Sequence, residues 1–247
     1  YAELVMLGMY GMYYLNAVYG VPFVLAALIC IVGVGVLGGL LHYVVIQPLL
    51  DAPPINQLLA TGGVLFFMQS FATVAFGIEF RNLGIRLPAF AVGEISVSVP
   101  RLIAFGVALG GMAAMYLFLT RTFTGTAIRA IAQDRQIMPL MGVDPRRTYL
   151  ITSAVGGGLA GLAACLLVLQ YYVHPFVGLS FGPITFLICV LGGLGNFVGG
   201  FVAAFIFAEI ISIGGLYLDL EWGYVFAFVF FIIMMFIRPE GLLTRRK

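Results

Sequence analysis

Two carboxylic acids stand inside strongly apolar stretches of this sequence. Glu3 is followed by the apolar residues 4–7, and Glu209 lies within the apolar segment 205–211. A charged group surrounded by hydrocarbon costs several kcal/mol unless it faces protein or water. Each carboxyl group is therefore predicted either to line a hydrated path or to pin helices together. For Glu209 the alternative is a simple structural hydrogen bond, and for Glu3, two residues from the first, both interpretations stay open.

Uncharged polar residues and glycines add further candidates. Thr61 and Gln69 are eight residues apart and therefore lie near one face of a helix, where they line a path or hydrogen-bond to a neighbouring helix. A glycine run at 192–200 interrupts the apolar stretch 183–215, which allows close helix packing or exposes backbone groups to a water-filled path. The candidate path residues are Glu3, Thr61, Gln69, Gly192, Gly193, Gly195, Asn196 and Glu209.

The polar segment 120–148 contains an amphipathic pattern. Its apolar positions are Ala127, Ile128, Ile131, Met138, Leu140 and Met141, and its polar positions are Arg129, Gln133, Asp134 and Arg135. Pro139 and Gly142 are residues that end helices, so the pattern predicts a compact helix with a defined surface. Such a helix docks into a groove on another protein, or it lies on the bilayer as a connector.

No combination of residues assembles a catalytic or metal centre. His42 and His174 are far apart in sequence, and there is no phosphate-binding loop or metal motif. The three cysteines lie within apolar runs and are expected to be small buried hydrophobic side chains. The chain is predicted not to be an enzyme and to carry no cofactor, and its net charge of +2 gives no reason to expect nucleic acid as a partner.

The composition identifies the elements that must position these residues. Hydrophobic residues make up 62% of the chain and charged residues 9%, whereas a soluble domain has about 25% charged residues. Continuous apolar runs predict helices that cross a membrane, because helices satisfy their own backbone polar groups. The predicted spans are 4–19, 23–46, 57–77, 102–119, 149–169, 183–215 as two shorter helices, and 223–237.

The fold class is therefore an all-α polytopic transmembrane bundle, treated as a single domain over 1–247. It contains a glycine-broken helix pair and a separate amphipathic helix in the segment 120–148. Loops are expected at 47–54 and 171–182, because both are rich in turn residues. The charged segment 78–101, with alternating residues near 97–99, predicts a short strand or hairpin outside the membrane.

The distribution of basic residues predicts the orientation. Nine of the twelve lysines and arginines lie in the segment 120–148 and in the tail after residue 237, so both are predicted to be cytoplasmic. The span 149–169 then leaves the cytoplasm, and the last span, 223–237, returns to it. The stretch 183–215 between them must therefore begin and end on the outer side. A broken or doubled helix meets that condition, and a single crossing does not.

Several of these motifs resemble the LivH-type permease subunits of branched-chain amino acid ATP-binding-cassette importers. They occur in order at 3–10 (ELVMLGMY), 47–49 (QPL), 52–53 (AP), 59–63 (LATGG), 69 (Q), 129–134 (RAIAQD), 140–142 (LMG), 191–195 (LGGLG) and 238–242 (RPEGL). The resemblance implies an inner-membrane protein that supplies half of a translocation pathway. It implies as partners a second homologous permease, two cytoplasmic ATPases that bind ATP and magnesium, and a periplasmic substrate-binding protein. Because the family has a further hydrophobic helix ahead of the position of Glu3, we expect an N-terminal span to be missing.

The resemblance assigns the segment 120–148 as the coupling segment that contacts an ATPase. The residues predicted for this contact are Arg129, Ala130, Gln133, Asp134, Arg135, Gln136, Met138, Leu140, Met141 and Gly142. Many importers have an acidic residue and two alanines ahead of a glycine in this helix, whereas this chain has Gln136, Ile137 and Met138 ahead of Gly142. The contact with the ATPase therefore departs from the common pattern.

The expected substrate is a branched-chain or other hydrophobic amino acid. Similar permeases carry urea, short amides or small aromatic acids, and these stay open as alternatives. A secondary transporter driven by an ion gradient predicts paired acids in two repeated halves, and the sequence offers one firmly intramembrane acid, Glu209. A structural membrane protein would not need a cytoplasmic docking helix beside glycine-broken spans.

Overall fold

The protein is built almost entirely from α-helices. The computed structural model describes residues 1–84, 89–92, 95–134, 137–193, 195–217, 220–238 and 241–242. In chain order the helices are α1 (Ala2–Tyr13), α2 (Phe23–Leu41), α3 (Pro54–Phe76), α4 (Val99–Arg121), α5 (Phe123–Gln133), α6 (Pro145–Leu167), α7 (Val177–Gly192), α8 (Phe197–Tyr217) and α9 (Leu220–Ile237).

Irregular turns extend two of the helices, and one hairpin interrupts the series. A π-helical turn, Tyr14–Val18, extends α1. A π-helical turn, His42–Ile46, and a 3₁₀ turn, Gln47–Leu49, extend α2. Strands β1 (Ala89–Val92) and β2 (Ile95–Ser98) pair antiparallel ahead of α4. The predicted hairpin within 78–101 is therefore confirmed.

The lengths of the helices confirm the predicted all-α polytopic fold. Within the described ranges, five segments are long and apolar enough to cross a membrane: α2 with its extension, α3, α4, α6 and α8. The shorter apolar helices are α7 and α9. The predicted break within 183–215 is also confirmed, because α7 ends at Gly192 and α8 begins at Phe197.

The predicted loop at 171–182 is wrong in its second half. Helix α7 begins at Val177 and contains Pro183 within it. Proline removes one backbone donor and usually marks a helix boundary in water, but a membrane helix tolerates it where neighbouring groups satisfy the freed carbonyl. Glycine followed by proline at 182–183 therefore gave a misleading boundary.

The described chain divides into two compact units, Tyr1–Leu179 and Ser180–Lys247. In the first unit, α2 and α6 meet through glycines. A Cβ atom added at Gly38 would lie 2.7 Å from the carbonyl oxygen of Ser153, and one added at Gly157 would lie 2.6 Å from that of Val34. The two backbones are thus close enough that neither position has room for a side chain. His42 Nδ1 lies 3.0 Å from Ser153 Oγ and adds a buried polar contact to the same interface.

Helix α1 packs against this helix pair. Gly8 lies so close to α6 that an added Cβ would be 2.7 Å from the Cβ of Ala164. The ring of Tyr10 stacks on Phe76 of α3, with 4.4 Å between the ring centroids. The fully buried methionines of α1 are Met6, Met9 and Met12. These contacts fix the middle and the C-terminal half of α1 against α3 and α6.

The second unit joins the end of α7 with α8 and α9. A Cβ at Gly214 would lie 2.6 Å from the Cα of Gly223, so α8 and α9 touch through backbone as well. Phe207 packs edge-on against Phe230, with 6.0 Å between ring centroids. The buried cluster of this unit consists of Leu187, Leu191, Ala203, Phe207 and Ala227.

The close contact between α2 and α6 predicts that alanine destabilises the protein at Gly38 of α2 but not at Gly33 of the same helix. Gly38→Ala forces a methyl group against the Ser153 carbonyl, so we expect a loss of about 1 to 3 kcal/mol in the free energy of unfolding. Gly33 has no atom within 4 Å of an added Cβ, so Gly33→Ala gains helix propensity without a clash. Thermal unfolding midpoints in detergent compare the two; an equal midpoint for both variants would contradict the close contact.

Candidate functional site

The predicted residues Glu3 and Gln69 meet inside the first unit. Glu3 lies in the first turn of α1, its side chain is 5% exposed, and its Oε1 atom accepts a long hydrogen bond, 3.4 Å, from Gln69 Nε2 of α3. The buried Oε2 atom has no hydrogen-bond partner among the described residues.

A third helix reaches the same carboxyl group. Gly178 lies in the first turn of α7, and a Cβ added there would be 2.7 Å from Glu3 Oε1 and 3.0 Å from the carbonyl oxygen of Ala2. Only a glycine at this position lets α7 approach so closely. The polar junction of Glu3, Gln69 and Gly178 therefore links α1, α3 and α7. Sequence reasoning missed Gly178, because no local pattern distinguishes it from other glycines.

An apolar cavity of about 450 Å³ lies beside this junction, between α1, α3 and the extended α2. Glu3 and Thr61 contribute to its lining, as the predicted path residues should, while Gln69 does not. The Thr61 hydroxyl donates within its own helix, to the carbonyl oxygens of Gln57 and Leu58. Apolar side chains make up most of the remaining wall, including Leu41, Val45, Ile46, Leu58, Val64, Leu65 and Met68.

Arg81 contacts three segments of the chain near the C-terminal ends of α1 and α3. Its guanidinium donates hydrogen bonds to Tyr14 Oη and to the carbonyl oxygen of Phe76, and it lies 5.4 Å from the centroid of the Tyr14 ring. Its backbone pairs with Val173 in the loop between α6 and α7. Next to it, Phe80 packs on His174, and burial lowers the pKa of this histidine. The sequence placed Arg81 in the charged segment 78–101, predicted as a short strand or hairpin outside the membrane, but gave no sign of this role.

The amphipathic segment begins as a short helix held firmly to its neighbours. The Thr122 hydroxyl oxygen caps α5 by accepting a hydrogen bond from Gly125 N at 3.0 Å. A Cβ at Gly125 would lie 2.5 Å from the Cα of Leu119, so the turn between α4 and α5 requires glycine. Ala127 and Ile131 are buried, and α5 contacts both α4 and α6. Motion of α5 is thereby linked to two helices of membrane-spanning length.

The prediction of one helix through residue 142 is wrong. Helix α5 ends at Gln133, Asp134 is extended, and a separate 3₁₀ turn, Met138–Met141, follows and ends at Gly142 with a φ of +77°. Pro139 lies within this turn, six residues after the last residue of α5, so the helix ends well before the proline that was expected to end it. Arg135 and Gln136 lie outside the described residues.

The apolar residues of this segment consequently fall into two groups. Those of α5 face its own chain, whereas Leu140 and Met141 in the turn are 86% and 73% exposed. Arg129 and Gln133 of α5 are exposed, and Ala130 is half-buried. The exposed large apolar side chains in the described part of this segment are therefore Phe123, Ile137, Leu140 and Met141, and the last three lie in or next to the turn.

The glycine break between α7 and α8 is an ordered turn. Gly193 and Gly195 have φ values of +89° and +88°, which favour glycine. The Asn196 side-chain oxygen accepts a hydrogen bond from Gly199 N at 3.0 Å and so caps α8. Gly192 lies against Gly200. Gly192, Gly193, Gly195 and Asn196 therefore have a structural role in the break between the two helices. That they also line a translocation path stays a prediction.

The tail of the chain packs against this turn. Leu242 N donates to the Leu191 carbonyl oxygen at 2.8 Å, and a Cβ at Gly241 would lie 2.7 Å from the Cα of Gly193. The two glycine-containing motifs at 191–195 and 238–242 thus meet at one end of the second unit.

Glu209, the remaining predicted path residue, is exposed on α8. Its carboxyl group forms no hydrogen bond or ion pair with any residue that the structure describes. It therefore contrasts with Glu3, which is enclosed by its own chain.

Comparison with known proteins identifies relatives of this chain. A family model described as the branched-chain amino acid transport system permease component matches residues 1–235. The high-affinity branched-chain amino acid transport permease LivH of Escherichia coli K12 is 24% identical over 220 residues, which cover 84% of this chain and 70% of the relative. The permease BraD of Pseudomonas aeruginosa is 28% identical over 206 residues, which cover 81% of this chain and 67% of the relative. No solved structure matches the chain.

The junction predicts that Glu3 depends on Gln69. In Gln69→Leu the buried carboxyl group loses its hydrogen-bond donor, so we expect a loss of about 1 to 3 kcal/mol in the free energy of unfolding. Glu3→Leu combined with Gln69→Leu removes both polar groups and should be less destabilised than Gln69→Leu alone. The measurement is a double-mutant cycle: the free energies of unfolding in detergent are compared for the wild type, the two single variants and the double variant. If the losses of the two single variants simply add in the double variant, the two side chains do not interact.

Proposed function

This chain belongs to the family of permease components of branched-chain amino acid transport systems, and we propose that it forms half of the translocation pathway of an ATP-driven importer. The match of the family model over 1–235 is the observation that carries this proposal. Membrane-spanning helices and relatives that are transport permeases agree with a multi-pass protein of the inner membrane. In this proposal the segment 120–148 and the C-terminus are cytoplasmic.

The proposed complex contains three kinds of protein partner. A second homologous permease completes the pathway within the lipid bilayer, and a periplasmic binding protein delivers the solute. Two cytoplasmic ATPases bind ATP and magnesium, so the chemistry of hydrolysis lies outside this chain. The contact with an ATPase is made by the exposed turn Met138–Met141, where Leu140 and Met141 present two adjacent exposed apolar side chains.

The connection between this turn and the membrane helices supplies a mechanical route for coupling. The Gly125 turn and the Thr122 cap fasten α5 to α4, and α5 also contacts α6. Helix α6 in turn packs on α2 through Gly38 and Gly157 without intervening side chains. A displacement imposed by the ATPases therefore moves packed helices together, as alternating access requires. ATP and solute must favour different states for such coupling to work.

The substrate proposed for the importer is a branched-chain or other hydrophobic amino acid. The relatives are named for branched-chain amino acid transport. The cavity beside Glu3 has mostly aliphatic walls, which suits a small solute with an apolar side chain. Competition experiments distinguish the alternatives: leucine should compete for uptake, and competition by urea, short amides or small aromatic acids without competition by leucine would contradict the assignment.

The exposed turn predicts a variant that assembles poorly with the ATPases while its fold is intact. Leu140→Ser with Met141→Ser removes two outward apolar groups, so we expect at least a fivefold lower recovery of ATPase subunits when the permease is purified in mild detergent. Because both side chains are largely exposed, the unfolding midpoint should not change. Mass spectrometry of the co-purified subunits and an ATPase assay measure the result.

A matched control uses exposed apolar residues at the opposite end of α4. Leu102→Ser with Ile103→Ser changes two adjacent exposed side chains in the first turns of that helix and should leave ATPase recovery unchanged. Equal recovery with the turn variant and the wild type would contradict the proposed contact. A wild-type chain that purifies alone and moves solute with an ion gradient would contradict the importer itself.

A further inference from the structure

Glu209 lies deep within a membrane-spanning helix. It is twelve residues after the first residue of α8 and eight before the last, which places it about 18 Å and about 12 Å from the two ends. The surrounding residues 205–211 are otherwise apolar. Neither end of the helix is close enough for the short glutamate side chain to reach the polar surface of a bilayer.

The opposite side of α8 is the side that packs within its own unit. The buried residues of α8 are Gly199, Ala203, Phe207 and Gly214. Glu209 follows Phe207 by two residues, so its side chain leaves the helix about 200° away from that of Phe207. Phe205, Ser212 and Ile213 are three or four residues from Glu209, share its side of the helix and are also exposed. These three residues and Glu209 are here named the Glu209 face.

Lipid is a poor covering for this face. A carboxyl group facing hydrocarbon costs several kcal/mol, and intramembrane acids almost always face protein or a water-filled space. Within the described residues no donor satisfies the group. Polar side chains between helices of a membrane act as hydrogen-bonding contacts, and Ser212 adds a second polar group one turn away.

We propose that the Glu209 face is the surface on which the second permease subunit packs, with a hydrogen-bonding side chain of that subunit directed at the Glu209 carboxyl group. This inference rests on the proposed function, which requires such a subunit. The mixture of one acid, one hydroxyl and the apolar Phe205 and Ile213 fits a protein surface that is apolar around a single polar contact.

Photo-crosslinking in intact membranes identifies what covers the face. The photoreactive p-benzoyl-phenylalanine replaces Phe205, which is 50% exposed and one turn from Glu209. On irradiation of the whole complex, we expect an adduct with the second permease, identified by mass spectrometry. The control carries the same probe in place of Phe228, an exposed residue in the middle of α9, and should give at least tenfold less of this adduct. Absence of a protein adduct at Phe205, or an adduct only within the same chain, would overturn the proposal.

Substitution of Glu209 supplies a second, independent readout. Glu209→Gln keeps hydrogen-bonding capacity and should retain the second permease during purification, whereas Glu209→Leu should recover at least threefold less. If the group faced lipid, Glu209→Leu would be accepted without loss, and that result would refute the interface. Glu221→Leu is a matched control, because Glu221 is exposed in the first turn of α9 and should tolerate the change.

The outcomes separate this inference from the proposed function. If Phe205 captures the second permease but no ATPase is ever recovered, the interface stands and the ATP-driven importer fails. If ATPases and a second permease are recovered but the probe at Phe205 captures nothing, the importer stands and the Glu209 face is not its interface.

Discussion

The direct backbone contact between α2 and α6 is the constraint on which the first unit depends. Side chains cannot intervene at Gly38 and Gly157, so the two helices define a fixed surface against which α1 packs through Gly8. That packing positions Glu3 beside Gln69 and leaves the cavity between α1, α2 and α3. In a membrane, where lipid is as apolar as the side chains, close backbone approach supplies much of the packing energy.

Two glutamates in similar apolar sequence end in different environments. Glu3 is enclosed at a junction of three helices, where Gln69 donates to it and Gly178 makes room. Glu209 is exposed on the side of α8 that its own unit leaves uncovered. The first is suited to holding one subunit together beside its cavity, and the second to contact between subunits. Sequence reasoning gave them the same possible roles, because a local pattern does not specify which helix lies opposite.

Apolar runs and glycines predicted most of the architecture. Five of the predicted spans, the hairpin within 78–101 and the break near residue 193 followed from composition and periodicity, because each depends on nearby residues. The start of α7 and the end of α5 were wrong, since Gly182-Pro183 is tolerated within a membrane helix and α5 ends at Gln133, ahead of Pro139 and Gly142, which were expected to end it. The contacts at Gly178, Arg81 and Leu242 join residues distant in sequence, so no local signal revealed them.

The central claim is that this chain carries solute only as part of an ATP-driven complex. The most direct test is uptake of radiolabelled leucine into proteoliposomes that contain this chain, the second permease and both ATPases, with the binding protein supplied on its outer face. We expect leucine to accumulate only when ATP is present on the side of the ATPases, and not when only an ion gradient is imposed. Accumulation driven by an ion gradient in vesicles that contain this chain alone would contradict it.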